Sequence, residues 1–458
     1  MDMLKGSLWD KILIFTLPIA ASSILQQLFN SADVAVVGRF AGSGALAAVG
    51  SNSQVISLII NVFLGLSVGA NVVISNLLGE GKNKNIQDAV HTAISVSLIS
   101  GFGLIFLGFI LARPILTLMG TPDDVIESAI LYLRIYFAGM PFIMVYNFGS
   151  AILRSKGDTQ RPLYALIVAG VLNLVLNLVF VICFKMDVAG VGLATLISNA
   201  LSSVLVLYFL MREKGDLHLD WRKLTINRDY LIRMIKIGVP AGLQGMVFNF
   251  SNVMIQGAIN GFGASAMAGS AAGQNYEFFS FYIVSAFNQT TVTFMSQNIG
   301  AGQYDRCKKI FRICWLYSVA IMGIMVVLFV VFRKFFVGLC TVDPLAIKYG
   351  CIRILVVETF DCLICNYELG ASALRAMGHS LLPAIQTIFG VCVLRVVWIL
   401  TIFAHFKAIL EPLQAFAVLM AVYPVSWIIT GPVVLTTYFV MRKKMVSYFV
   451  NSKKEGAL

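Results

Sequence analysis

LRSKGDTQRP at Leu153–Pro162 is followed by a related sequence, LRAMGHSLLP, 221 residues later at Leu374–Pro383. GEGK at Gly79–Lys82 is matched by GAGQ at Gly300–Gln303 with the same offset of 221 residues. A constant offset between separate motifs is the signature of an internal repeat. The chain is therefore predicted to contain two copies of one structural unit.

The offset between the repeats changes by one residue near their beginnings. GALA at Gly44–Ala47 matches SAMA at Ser265–Ala268 with an offset of 221, whereas Pro18 matches Pro240 with an offset of 222. One copy therefore has one residue inserted relative to the other.

Apolar segments fill the chain between these motifs. The 458 residues are 59% hydrophobic and 12% charged, and the mean hydropathy is +0.86. A soluble chain carries about twice that share of charged residues. Apolar runs of 18 or more residues recur, and they are too long for the alternating strands of a membrane barrel, which leaves helices. The predicted fold is an all-α polytopic membrane protein.

Hydropathy and turn residues together predict twelve transmembrane helices in two pseudo-symmetric lobes of six. Because six is even, both lobes enter the membrane from the same side, as in transporters that rock about a central cavity. We predict an N-terminal lobe at 1–211, a linker at 212–227, and a C-terminal lobe with a basic tail at 228–458. The spans run roughly over 12–38, 44–78, 87–112, 122–152, 162–184, 188–211, 228–260, 264–299, 306–332, 343–374, 381–404 and 409–441.

The net charge of +12 does not indicate nucleic-acid binding, because the basic residues lie mainly in short loops on one side of the predicted spans. That distribution follows the positive-inside rule and predicts that both termini are cytoplasmic. The chain is not expected to be an enzyme. It has no nucleotide-binding loop, since GEGK lacks the required spacing and Ser/Thr, and no cluster of metal ligands.

Specific motifs go beyond hydropathy. Leu17-Pro18 is followed fifteen residues later by Asp33, then by VVGRFAG, and LNLVLN lies at Leu172–Asn177. With the repeated glycine loops, these features resemble the multidrug and toxic compound extrusion (MATE) family, and most closely its bacterial multidrug-type members. The resemblance covers essentially the whole chain.

The resemblance implies a secondary active antiporter that works by alternating access. It would export amphipathic, often cationic small molecules in exchange for H⁺ or Na⁺. It would need no cofactor beyond the coupling ion and would act as a multi-pass monomer in the lipid bilayer of the plasma membrane.

Asp33 is the most informative polar residue, because an ionised carboxylate inside a membrane costs about 2.5–3.5 kcal/mol on insertion scales. A structural interpretation lets it reach the interface or pair with Arg39, although a spacing of six residues is poor for such a pair. The functional interpretation is a proton- or cation-binding carboxylate. The resemblance supports the second, since the family places an Asp of its first helix fifteen residues after the proline that kinks it. Pro18 is the predicted kink.

Asn173 and Asn177 lie four residues apart in the fifth span and so share one helix face. They could simply bond to neighbouring helices, but the resemblance implies a cation-binding cluster with Asp33, to which Thr195 of the sixth span adds a hydroxyl. Thr195 is equally well explained as a packing residue. The family often has Asp at the second position, where this chain has Asn177. Asp33 would then be the only carboxylate, which leaves H⁺ and Na⁺ both open and no other metal expected.

The second lobe contains several acids in apolar segments, an unusual composition for a membrane helix. They are candidates for a substrate cavity or a second cation site, although Glu368 lies near a helix end and is the weakest. Arg395 is expected to pair with one of them, and that acid would then be structural. The candidates are the acids Glu277, Glu358 and Asp361, together with the amide Gln274.

Two other transport functions are alternatives to antiport. A flippase of a lipid-linked precursor is the main alternative, but it would need a strongly cationic cavity, for which Arg395 alone is thin support. A channel has no need for two repeated lobes with buried acids.

Overall fold

A computed structural model describes residues 1–81, 83–118, 121 and 123–455. The described residues are helical almost throughout, with no β-strand among them. This confirms the predicted all-α fold. Lys82 of the GEGK motif and residues 456–458 of the predicted C-terminal lobe lie outside the described residues.

The helices of the N-terminal repeat follow the predicted spans. Two of them are prolonged by π-helical segments, at Val37–Ala41 and Val179–Cys183. The fourth predicted span consists of two helices separated at Gly139. The helices are α1 (Trp9–Val36), α2 (Gly42–Glu80), α3 (Asn83–Leu118), α4 (Asp123–Ala138), α5 (Met140–Ser155), α6 (Gln160–Leu178) and α7 (Asp187–Arg212).

The helices of the C-terminal repeat are more often interrupted. A 3₁₀ segment at Glu358–Leu363 divides the tenth predicted span, and π-helical segments at Ile388–Val393 and Ile399–Phe403 lie within the eleventh. The helices are α8 (Arg228–Asn260), α9 (Ala264–Gly300), α10 (Tyr304–Val331), α11 (Arg333–Cys340), α12 (Pro344–Val357), α13 (Ile364–Ala376), α14 (Leu381–Thr387), α15 (Leu394–Trp398), α16 (Ala404–Lys407), α17 (Pro412–Met420) and α18 (Val422–Glu455).

Nine helical stretches in the described part of the chain are long and apolar enough to cross a membrane, or ten if α4 and α5, bent by 43°, form one span. The remaining two predicted spans correspond to α9 and to α12 with α13. Polar residues such as Gln274 and Glu277 lower the hydropathy of α9, and the 3₁₀ segment breaks the other. These are the segments that carry the second-lobe acids.

The repeated loops have the same backbone conformation in both copies. Gly157 and Gly378 adopt left-handed φ angles of 90° and 84°. Their N–H groups donate to the carbonyls of Arg154 and Arg375, at 2.8 and 2.9 Å. Glycine is needed at both positions because a side chain disfavours this conformation.

The chain packs as two compact units. The first comprises Met1–Gly242 with Gly300–Gly302, and the second comprises Leu243–Ile299 with Gln303–Leu458. Phe137 and Met140 lie in the apolar core of the first unit, and Phe329 and Ile354 lie in a core cluster of the second. The lobe boundaries predicted at 211 and 228 stay a prediction.

Within the first unit, α2 and the beginning of α8 approach closely at glycines. Gly65 and Gly69 in α2 have the same four-residue spacing as Gly238 and Gly242 in α8. A methyl group added at Gly65 would collide with backbone atoms of Gly238 and Gly242. Small residues at this spacing allow helix backbones to come together in a membrane.

Candidate functional site

Asp33 lies in the last turn of α1, just before the π-helical segment. Its half-buried carboxylate accepts a hydrogen bond from Nδ2 of Asn177 in α6, at 2.5 Å. Asp33 takes part in none of the ion pairs found among the described residues. Arg39, its alternative partner, is exposed. The hydrogen-bond partner of this carboxylate is therefore an amide and not a cation.

The hydrogen bonding extends to the other predicted residues of the first lobe. Nδ2 of Asn177 also lies 3.2 Å from Oδ1 of Asn173, and Nδ2 of Asn173 lies 3.5 Å from Oγ1 of Thr195 in α7. Asn173 and Asn177 are both buried. The structure thus brings together Asp33, Asn173, Asn177 and Thr195 from three helices, with Thr195 at the limit of hydrogen-bond distance.

Oxygen atoms are the groups this cluster could offer a cation. Oδ1 of Asn177 is buried and accepts no hydrogen bond from the described residues, which is costly unless another group is bound there. No group of three or more His, Cys, Asp or Glu side chains in the described ranges could hold a metal ion. One carboxylate with neutral amide oxygens fits either a proton on Asp33 or a single hard cation.

Two tyrosines near Asp33 were missed by the sequence analysis. Tyr132 and Tyr136 of α4 interact electrostatically with the Asp33 carboxylate, and their ring centroids lie 6.2 Å apart. The available signal was a pair of tyrosines four residues apart in an apolar helix. They add hydroxyl groups to the surroundings of the acid.

Pro18 lies inside α1, which continues through it without a break. Proline removes one backbone hydrogen bond from the helix, and Oγ of Ser22 donates to the Pro18 carbonyl at 2.8 Å. The kink at Pro18 stays a prediction.

In the second unit, Glu277 of α9 forms a bidentate ion pair with Arg353 of α12. Nε and Nη2 of Arg353 donate to the two carboxylate oxygens at 2.6 and 2.8 Å. Nη1 donates to Oγ of Ser270 at 2.7 Å, and the side chain of Arg353 is only 1% exposed. Glu277 is therefore neutralised by a residue that the sequence analysis did not single out.

Glu358 and Asp361 are both buried in the 3₁₀ segment. Oγ of Ser280 lies 3.3 Å from Oε1 of Glu358, and Oδ2 of Asp361 has no hydrogen-bond partner among the described residues. Neither acid belongs to an ion pair in the described part of the chain. These two acids therefore differ from Glu277, which is ion-paired with Arg353.

The expected pairing of Arg395 with an acid is not found in the described contacts. Its guanidinium donates to Oδ1 of Asn252 at 3.2 Å and to Oγ of Ser426 at 3.4 Å, and lies 4.4 Å from the ring centroid of Tyr423. These neutral acceptors and the cation–π contact hold it without a carboxylate. Arg353 occupies the role that was expected of Arg395.

The two remaining candidates lie at opposite ends of this region of the sequence. Gln274 is half-buried in α9, one turn before Glu277. Glu368 of α13 accepts a hydrogen bond from Nδ2 of Asn288 at 2.7 Å. Both belong to the second unit, whereas Asp33 belongs to the first.

A family model described as MatE matches residues 18–179 and 240–401, once in each repeat. The probable multidrug resistance protein YoeA of Bacillus subtilis is 28% identical, over 84% of this chain and 85% of its own. The probable multidrug resistance protein NorM of Thermotoga maritima is 23% identical, over 83% and 82%.

A solved structure shows the same fold. A MOP superfamily transporter from Pyrococcus furiosus superposes with a TM-score of 0.89 at 21% identity, covering 97% of this chain and 98% of its own. At that identity the likeness concerns the fold alone. The family model, however, matches more than half of the sequence, and the chain belongs to the MatE family of multidrug efflux transporters.

Proposed function

We propose that this membrane transporter is a secondary active antiporter, exporting amphipathic, often cationic compounds in exchange for H⁺ or Na⁺ by alternating access. The observation that carries the proposal is the hydrogen bond between Asp33 and Asn177 inside two membrane-spanning helices. The proposal places the chain in the plasma membrane as a monomer with both termini cytoplasmic.

Asp33 is suited to coupling because its surroundings are neutral. A carboxylate paired with a fixed cation stays ionised. A carboxylate held by amides can alternate between the free ionised form and a form that carries a proton or Na⁺. Asn173, Asn177 and Thr195 would supply the remaining ligands, and bending at Pro18 would accompany loading. The relatives named as probable multidrug resistance proteins support the substrate class.

The second-lobe residues are proposed in different roles. Glu277 is structural in this proposal, because Arg353 neutralises it. Glu358 and Asp361 remain candidates for a second protonatable site, with Gln274 near the substrate path. A lipid-linked precursor flippase is not favoured, since the buried Arg353 is already paired with an acid and is not available for a diphosphate.

The test is efflux from vesicles with the proton and Na⁺ gradients imposed separately. Purified protein is reconstituted into vesicles, and the vesicles are loaded with ethidium, a fluorescent cation. We expect one gradient to drive efflux, and Asp33→Asn to reduce the rate to that of protein-free vesicles. Asp216→Asn, in a loop outside the spans, is the matched control and should transport normally. Efflux independent of either gradient, or full gradient-driven efflux by Asp33→Asn, would contradict the proposal.

A further inference from the structure

A cavity of about 630 Å³ lies in the first unit beside the loop that joins α5 to α6. Neither Asp33 nor its hydrogen-bond partners line it, so it is separate from the candidate ion site. Its lining includes the charged residues Lys156, Asp158, Arg161 and Glu213 and the largely apolar residues Ile14 and Tyr164.

The acids of this cavity are already satisfied. One oxygen of Glu213 accepts from Lys156, and the other accepts from Nη1 of Arg161 at 2.5 Å. Partial burial by itself would raise the pKa of Glu213, but the hydrogen bonds from Lys156 and Arg161 outweigh it and lower the pKa. Oδ2 of Asp158 lies 3.0 Å from Nε of Arg161, and Oδ1 accepts from the Arg161 backbone N–H at 3.1 Å. No acid here needs a further donor.

The cations, in contrast, have donors to spare. An ammonium group carries three N–H donors and a guanidinium five. In the described contacts Lys156 uses one of its donors, and Nη2 of Arg161 has no acceptor. Both side chains are 43% exposed. Among the charged groups of the cavity, cationic donors are therefore left over while both carboxylates are satisfied, a combination that suits a phosphate oxygen.

The apolar lining residues lie on spanning helices, next to further exposed apolar side chains. Ile14 of α1 and Tyr164 of α6 are 51% and 55% exposed, and Leu17 and Val168, one turn further into the spans, are 61% and 50% exposed. Exposed apolar side chains on membrane-spanning helices are suited to contact acyl chains, and tyrosine favours the interface. The ligand thus needs a phosphate and an apolar tail together.

We propose that this cavity binds the phosphodiester group of a phospholipid, held by Lys156 and Arg161, with its acyl chains along the exposed faces of α1 and α6. The second repeat has Met377 and Leu382 at the corresponding positions, 221 residues later. The site therefore belongs to the first repeat alone.

Native mass spectrometry of the full-length protein in detergent tests the proposal. The probes are phosphatidylglycerol and a diacylglycerol with the same acyl chains but no phosphate. We expect phosphatidylglycerol to be retained at least fivefold more than diacylglycerol. Lys156→Met and Arg161→Leu, each copied from the second repeat, should remove that preference. Lys223→Met changes a cation that does not line the cavity and should retain wild-type binding within twofold.

Equal retention of the two lipids by the wild-type protein would overturn the proposal. That comparison needs no variant, so it holds even if one variant folds poorly. Unchanged preference in both folded variants would also overturn it. Displacement of phosphatidylglycerol by millimolar inorganic phosphate would show that the site takes a free anion and would refute the lipid assignment. Lys156→Arg, which keeps charge and donors, is expected to preserve binding.

Discussion

Asp33 and Glu277 are both acids within membrane helices, but their partners differ in kind. An amide donates to Asp33 and can remain in place when the acid is protonated, whereas Arg353 holds Glu277 as a permanent ion pair. When either member of a buried ion pair loses its charge, the other is left as an uncompensated buried charge. This contrast supports the proposal that Asp33 exchanges a proton or Na⁺ and that Glu277 is structural.

Replacing Asn177 by Leu should slow gradient-driven efflux by roughly tenfold or more. A hydrogen bond to a charged group contributes about 1.5–3 kcal/mol, and about 1.4 kcal/mol corresponds to a factor of ten in rate. The initial rate of ethidium efflux from loaded vesicles measures this effect. Asn147→Leu is the control, since the amide of Asn147 donates to the Ile143 carbonyl of its own helix at 2.8 Å and not to Asp33, and its rate should stay within twofold. A normal rate in Asn177→Leu would show that the amide does not support Asp33.

Replacing Arg353 by Met should destabilise the protein strongly. Removing one member of a buried pair costs about 3–5 kcal/mol, because the other charge is left uncompensated. Thermal unfolding in detergent should show this loss, and Glu277→Gln in the same chain should recover part of it. Arg113→Met breaks an ion pair with Glu127 whose side chains are 60% and 71% exposed, and should cost less than about 1 kcal/mol. Equal losses in Arg353→Met and Arg113→Met would contradict the structural role of the buried pair.

Sequence reasoning reached the residues that local spacing connects. Asn173 and Asn177 were predicted to share a face because they are four residues apart, and they do bond to each other. Glu277 and Arg353 are 76 residues apart, with the whole of α10 and α11 between them, so no local spacing indicates their pairing. The resemblance to a family supplied the link between α1 and α6 that spacing alone could not.

At the scale of elements, the close packing of α2 against α8 depends on glycine. Gly65→Ala should destabilise the protein by about 1–3 kcal/mol, the usual cost of overpacking, because the added methyl meets backbone that cannot rotate away. Gly103→Ala, in α3, is the matched control, since no atom lies within 4 Å of the added methyl. It should be neutral or stabilising by up to about 1 kcal/mol. Melting temperatures in detergent compare the two variants, and equal melting temperatures would contradict a tight helix contact.

Hydropathy predicted where the helices lie, but it did not predict where they are interrupted. The second-repeat segments that fail the criteria for a simple span are α9, with its polar residues, and α12 and α13, separated by the 3₁₀ segment. Hydropathy averages over a window and does not register which backbone hydrogen-bond pattern a segment adopts. The interruption at Glu358–Leu363 could therefore be seen only in the structure.

At the scale of the whole molecule, the two repeats share their loops but not their polar cluster. Asp33 corresponds to Ile255, fifteen residues after the matching proline, and Asn173 and Asn177 correspond to Leu394 and Trp398. The repeated glycine turns predicted the duplicated fold, and the unmatched residues carried the information about the site.

Transferring the carboxylate to the second repeat should not restore transport. The double variant Asp33→Asn with Ile255→Asp would place an acid at a position that is 1% exposed and lacks the counterparts of both asparagines. We expect ethidium efflux to stay at the level of protein-free vesicles. Ile255→Asp alone is the control for misfolding, judged by its melting temperature. Recovery of gradient-driven efflux in the double variant would show that either repeat can host the coupling acid.

The π-helical segment Val37–Ala41 lies in the stretch where the offset between the repeats changes. The first repeat has one residue more between Pro18 and Gly44 than the second has between Pro240 and Ser265, and a π turn takes up one extra residue without ending a helix. An alignment of the two halves must therefore open its gap inside a helix, just after Asp33. A helical wheel drawn straight through this segment would misassign every later face by about 100°.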